Sequence, residues 1–279
     1  MSLWDSVSTS STTNDTIATQ QMDDIEYQIH GHDMQLVELV LDSQEAAIGE
    51  AGSMLYLEDG IVMETLFGDG SAQQSSFMQK LLGAGKRLIT GESLFTTAYT
   101  NQAYEKRKVA FAAPYPGQIM PINLRQWGGE LVCQKDAFLC AAKGVSLGIA
   151  LQKRLGAGFF GGEGFIMQRL EGDGWAFIHA CGATLSRQLA PSETLRVDTG
   201  CLVALSREVD YDIEYVGGIK TALLGGEGLF FARLRGPGMV ILQSLPFNRL
   251  ASRIFAAAPR RQGGGGQQEE SSWFNFDRD

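Results

Sequence analysis

"LQKRLGAGFFGGEGF", residues 151–165, is the stretch whose reading decides the fold. Gly156-Ala157-Gly158-Phe159-Phe160-Gly161 fits the G-x-G-x-x-G pattern of a dinucleotide-binding loop. That loop requires a buried strand before the glycines and a helix after them, so that the helix's first amides meet the pyrophosphate. The order here reads the other way. "GIALQKRLGAG" (148–158) predicts a turn or two of helix, with Leu151 and Leu155 four apart and Gly156 as its C-terminal cap, and "GFIMQRL" (164–170) predicts a strand. The glycines then belong to a turn, and no nucleotide or other cofactor is expected.

Self-comparison supports a turn rather than a nucleotide loop. A Gly-Glu pair leads into an apolar strand three times, in "GESLF" (91–95), "GEGF" (162–165) and "GEGLF" (226–230), which places Glu92, Glu163 and Glu227 alike. "QKLLGAG" (79–85), "QKRLGAG" (152–158) and "IKTALLGG" (219–226) precede them and align Gly83, Gly156 and Gly225. A second strand follows each: "VAFAA" from Val109, "WAFIHA" from Trp175 and "MVILQS" from Met239, the last two after the tight-turn sequences "EGDG" and "RGPG". Upstream, Glu45, Glu130 and Glu193 each stand seven residues before a small residue that opens an apolar strand, "SMLYL", "FLCAA" or "CLVAL".

The expected fold is all-β, with three repeated antiparallel units (25–116, 117–181 and 182–249) packed as one sandwich-like domain of pseudo-threefold character. Units of this size are too small to bury both faces of a meander alone. "PFNRLASRIFAAAPRR" (246–261) predicts a short C-terminal helix with Phe247, Leu250 and Ile254 on one face, docked on the β core and ending before Pro259. The single domain then spans 25–258, between a Ser/Thr-rich tail (1–24) and a Gly-rich tail (259–279) that are both expected to be disordered.

The chain has 279 residues, 44% hydrophobic content and a net charge of -9, the balance of a globular protein whose surface repels phosphate backbones. Nucleic acid is not an expected partner. No apolar run reaches the ~20 residues that span a bilayer, and the N-terminus lacks the basic and apolar regions of a signal peptide, so a cytoplasmic location is expected. Cys133, Cys140, Cys181 and Cys201 form no C-x-x-C pair and are expected as free thiols.

Four other features carry little chemistry or allow two readings. "GVSLG" (144–148) fits a nucleophile elbow, but His179 is the only later histidine, and the repeat alignment puts Ser146 in an outer hairpin. "HGH" (30–32) places two imidazoles close together without the further ligands a metal needs, so no metal is assigned. Glu92, Glu163 and Glu227 have two readings. They accept hydrogen bonds from turn amides, or they face a common axis and recruit a cation. The aromatics Trp273, Phe274 and Phe276 of "SSWFNFDRD" are either an inconsequential tail or a tethered sticker for a protein partner.

"MQLVELVLDSQEAAIGEAGSMLYLEDGIVMET", "LLGAGKRLITGESLFTTAYTN", "VAFAAPYPGQIMPINL" and "RLGAGFFGGEGF", taken in order, resemble the bacterial branch of the family named for altered inheritance of mitochondria. The resemblance covers about residues 25–250. It implies an all-β fold like that of the trp RNA-binding attenuation protein, and it carries over no catalytic residues. The expected function is a non-enzymatic homo-oligomeric scaffold or binding protein. The alternative is a regulator that binds nucleic acid or a small ligand.

Overall fold

A computed structural model describes residues 25–67, 95–153, 165–215 and 230–257. Its strands lie in four antiparallel sheets. The first runs β1 (Glu26–His30), β2 (Leu36–Leu41), β7 (Arg107–Ala112), β4 (Met54–Leu57). The second runs β5 (Ile61–Phe67), β6 (Phe95–Asn101), β3 (Ala46–Glu50), β10 (Phe138–Ala142), β13 (Trp175–Cys181), β8 (Gly117–Asn123). The third runs β11 (Ser146–Lys153), β12 (Phe165–Glu171), β9 (Glu130–Gln134), β16 (Leu202–Ser206), β19 (Gly238–Gln243), β14 (Thr184–Leu189). The fourth runs β15 (Thr194–Asp198), β18 (Phe230–Arg235), β17 (Asp210–Tyr215). A single α-helix, α1 (Phe247–Ala257), follows among the described residues.

Burial along the strands shows how the sheets are layered. In the outer strand β2, "LVELVL", alternate residues Val37, Leu39 and Leu41 are fully buried, the period of a sheet with one wet face. In β10, "FLCAA", and β16, "LVALS", every residue is buried, as in a sheet covered on both faces. Three apolar clusters fill the spaces between. Val37, Leu39 and Phe111 of the first sheet meet Tyr99, Leu139 and Phe177 of the second. Phe138 and Ile178 on the second sheet's other face meet Leu131, Leu147 and Leu170 of the third. Phe165, Met167 and Leu205 of the third meet Val197, Ala232 and Leu234 of the fourth. The result is an all-β, sandwich-like stack.

The structure corrects three sequence readings. The helix expected over 148–155 is the strand β11, which pairs with β12 from Ser146↔Glu171 to Lys153↔Phe165. Leu151 and Leu155 are four apart, but the third sheet needs an edge strand there, and its ladder outweighs weak local periodicity. The glycine-rich stretch, residues 154–164, connects β11 to β12 and lies outside the described residues.

Glu130 is not the counterpart of Glu45 and Glu193. Those two carboxylates each accept the N–H three residues earlier, Asp42 at 2.7 Å and Ala190 at 2.8 Å. Their carbonyls accept from Asn101 and Gly236, both at 2.9 Å. The carbonyl in that role before β9 is Gly129, which accepts from Gly172 at 3.0 Å. Gly128 and Gly129 both take left-handed φ, 72° and 85°, and shift Glu130 one residue on, where it pairs with Arg169 at 3.1 Å.

The C-terminal helix forms but does not dock along its length. None of its residues is buried, and Ile254 and Phe255 are exposed. Its first turn alone is tied down, by Phe247 against Tyr115 and by Arg249 to Asp198 at 3.3 Å.

A fully buried polar residue locks the loop after β6. The two hydrogens of Asn101 Nδ2 are shared among the carbonyls of Leu41 (3.0 Å), Asp42 (3.1 Å) and Glu105 (2.8 Å), and its Oδ1 accepts the Ala103 N–H at 2.9 Å. Asn101→Ala deprives four backbone groups of this partner and is expected to cost roughly 2–4 kcal/mol in urea unfolding. A loss below about 1 kcal/mol would show that water replaces the amide.

Candidate functional site

Glu92, Glu163, Glu227, Gly83, Gly156 and Gly225 lie outside the described residues, as do Trp273, Phe274 and Phe276. The strands around the first six place their segments alike. Residues 68–94, 154–164 and 216–229 each connect two antiparallel neighbours, whose last partners are Phe67↔Phe95, Lys153↔Phe165 and Tyr215↔Phe230. Ser146 opens β11 and is followed by strand, so the helix of a nucleophile elbow is missing. All four cysteines are unpaired. Among the described residues no three His, Cys, Asp or Glu gather as metal ligands, and no helix is long and apolar enough to cross a membrane.

Two places gather functional side chains. The first centres on Tyr115, in the connection from β7 to β8. Its ring meets His179 of β13 edge-on at 4.7 Å and stacks on Phe247 at 5.1 Å, and its hydroxyl donates to the Asp136 carbonyl at 3.4 Å. His179 is 2% exposed, and neither ring nitrogen has a hydrogen-bond partner of good geometry.

Gln243 of β19 explains that vacancy. His179 and Gln243 each stand two residues beyond a matching ladder pair, Cys140↔Phe177 and Ala204↔Ile241. The Gln243 amide accepts the Cys181 N–H at 2.8 Å and donates to the Gly200 carbonyl at 2.7 Å. Cys181 stands three residues before Thr184, the ladder partner of Gln243; Pro116 stands three before Ile119, the ladder partner of His179, and has no N–H to offer, while the Tyr115 hydroxyl already donates to the Asp136 carbonyl.

Burial lowers the His179 pKa to about 4, opposed only by the backbone of Tyr115, so the ring is neutral at pH 7. Burial, reinforced by the Asp136 carboxylate and opposed by Lys135, raises Glu50 to about 7. The Asp136 pKa is itself raised by burial. Perturbed groups of this kind mark catalytic centres in many proteins. His179 is nearly fully buried, so its ring is closed off from solvent.

The second place is a cleft of about 560 Å³ beside the edge of the third sheet, within the size range of small-ligand sites. Trp127, Met239 and Ile241 give it apolar walls, and Ser186, Gln188 and Glu208 add polar groups. Trp127 is held by the 3-10 turn Leu124–Trp127, which Gly128 ends in left-handed geometry. The cleft suits a flat or apolar group against the indole, with hydrogen bonds to the amide and carboxylate. Sequence reasoning missed it because its lining comes from four separate segments that share no motif.

The Glu50 pKa is higher in the folded chain than the ordinary 4.5, so the folded state holds its proton more tightly, and stability falls as pH rises from about 4.5 to about 7. His179 acts oppositely, and its contribution is lost as pH falls from about 6.5 towards 4. Glu50→Gln is therefore expected to gain stability relative to the parent as pH is raised from about 5 to 8, by on the order of 2 kcal/mol, in urea unfolding at stepped pH. A pH-independent difference would contradict this account.

Comparison with known proteins agrees with the fold. An uncharacterised protein of Streptococcus pyogenes serotype M6 is 30% identical over 223 residues, covering 78% of this chain and 85% of the relative. The crystal structure of another Streptococcus pyogenes protein superposes with a TM-score of 0.63 at 22% identity, covering 83% of this chain and 99% of that one, and so shares the fold. Residues 27–245 match the family described as "Mitochondrial biogenesis AIM24". With nearly all of the β stack inside that match, the chain belongs to this AIM24 family.

Proposed function

We propose that this chain is a non-enzymatic scaffold or binding protein that works as a homo-oligomer. The observation that carries the reading is a pairing order that recurs along the chain. The trios β2-β7-β4, β8-β13-β10 and β14-β19-β16 are each arranged alike, as are β5-β6-β3, β11-β12-β9 and β17-β18-β15. Apart from β1, the described strands then make three units of six, and each inner sheet takes three strands from one unit and three from the next. The likeness to the trp RNA-binding attenuation protein belongs to the same reading. Such a chain resembles an assembly already begun, with each unit stabilised mainly by its neighbours.

The cleft beside Trp127 favours a second reading, in which the scaffold also holds a small ligand. The net charge of -9 argues against nucleic acid as that ligand.

Light scattering on the full chain tests the first reading. The expected mass is a multiple of 30.3 kDa that rises with concentration over about 1–100 µM, the range in which modest interfaces form. A mass of one chain throughout would contradict it.

A further inference from the structure

The strands β4, β10 and β16 share an irregularity. Each slips register at the same point against its neighbour: between Met54 and Tyr56 on β7, between Phe138 and Cys140 on β13, and between Leu202 and Ala204 on β19. The extra residue is Leu55, Leu139 or Val203, and the bulge turns it and its successor onto one face. In two of the three strands that face is core. Leu139 and Cys140 join the cluster between the first and second sheets, and Val203 and Ala204 join the one between the second and third. The outer edge of each of these two strands is also occupied. β10 pairs with β3 through Cys140↔Gly49 and Ala141↔Ile48, and β16 pairs with β9 through Ala204↔Cys133 and Leu205↔Val132.

Among the described residues the third pair of edges is unmatched. β4 ends the first sheet and β15 ends the fourth. In β15, Val197 holds the place of Gly49 in β3 and Cys133 in β9, the fourth residue of each strand. In β4, Tyr56 holds the place of Cys140 and Ala204, two residues past the slip. Leu55 is 51% exposed and Tyr56 37%, whereas Leu139, Cys140, Val203 and Ala204 are at most 1% exposed. Leu55 and the ring of Tyr56, whose hydroxyl donates to Glu38, thus face water at a position that is buried wherever the edge beside it is paired.

We propose that β4 of one copy pairs antiparallel with β15 of a second copy, with Tyr56 opposite Val197 and Leu57 opposite Arg196. The new ladder repeats the β10–β3 and β16–β9 ladders and completes a sheet with the same order of trios as the two inner ones, extended at one edge by β1. This rests on the scaffold reading and names its partner: a second copy of this chain, joined head to tail. Each copy keeps one free edge of each kind, so the contact is heterologous and either closes into a ring or continues to grow. The contact also covers edges that otherwise invite indiscriminate strand addition.

Cross-linking between full chains tests the register. Val197→Cys gives β15 the residue that β9 carries as Cys133, and Tyr56→Cys gives β4 the residue that β10 carries as Cys140, so both substitutions suit their sites. Directly opposed residues of an antiparallel ladder lie about 4.5–5.5 Å apart at Cα, within disulfide range. Mild oxidation of the two variants mixed together should give a covalent dimer that neither gives alone. A chain carrying both substitutions should give covalent multimers. Leu55→Glu, at an exposed position, should raise the dissociation constant at least ~10-fold without lowering the melting temperature.

Other outcomes overturn the proposal. If the double variant loses both thiols while remaining one chain in mass, the junction closes within a single molecule. If the parent chain oligomerises but no cross-link forms and Leu55→Glu changes nothing, this pairing fails and the scaffold reading stands. If the parent chain is monomeric at every concentration, both fail.

Discussion

The structure depends on two short antiparallel ladders, β3 with β10 and β9 with β16. Each joins strands more than seventy residues apart in sequence and fuses two three-stranded sheets into one of six. A three-stranded sheet standing alone would leave an apolar face in water. Fused and stacked, the inner sheets bury both faces, which is why every residue of β10 and β16 is buried and all but Ser206 are apolar. Gly49 shows how tight this junction is: a Cβ there would collide with the Phe111 ring. The stack is thus held by long-range pairing more than by any local preference, a topology expected to fold slowly.

Much of this was legible in the sequence, for identifiable reasons. Strand runs such as "WAFIHA" and "CLVAL" announce themselves by apolar and β-branched content between turn residues, and "EGDG" and "RGPG" mark their hairpins. Other features were not legible. The edge strand β11 mixes Gly148, Gln152 and Lys153 with apolar residues, and nothing local separates it from a helix. Glu130 matched Glu45 and Glu193 in letters, but the backbone freedom of Gly128 and Gly129 shifts it by one residue. The helix after Phe247 was read from its apolar spacing. That spacing says which residues share a face, not whether the β stack offers a surface to receive them.

The candidate sites divide in the same way. The recurring Gly-Glu pairs gave the strongest sequence signal, and all of them fall in connections outside the described residues. The Trp127 cleft and the Tyr115 cluster gave no signal because distant segments meet there. His179 is instructive. Its neutral, unpartnered ring is what remains when Gln243's two hydrogen bonds lose their counterparts to Pro116 and Tyr115. A perturbed titratable group can thus arise from burial beside a proline and a hydroxyl that is already engaged.

Hydrogen exchange on the full chain, read by mass spectrometry over a denaturant series, tests the primacy of the two junction ladders most directly. If they hold the stack together, peptides spanning 46–50 and 138–142, and those spanning 130–134 and 202–206, open only with the whole molecule and share one opening free energy. If one of these pairs opened well below the global free energy while the sheets beside it stayed protected, the sheets would be independent modules and the account would be wrong.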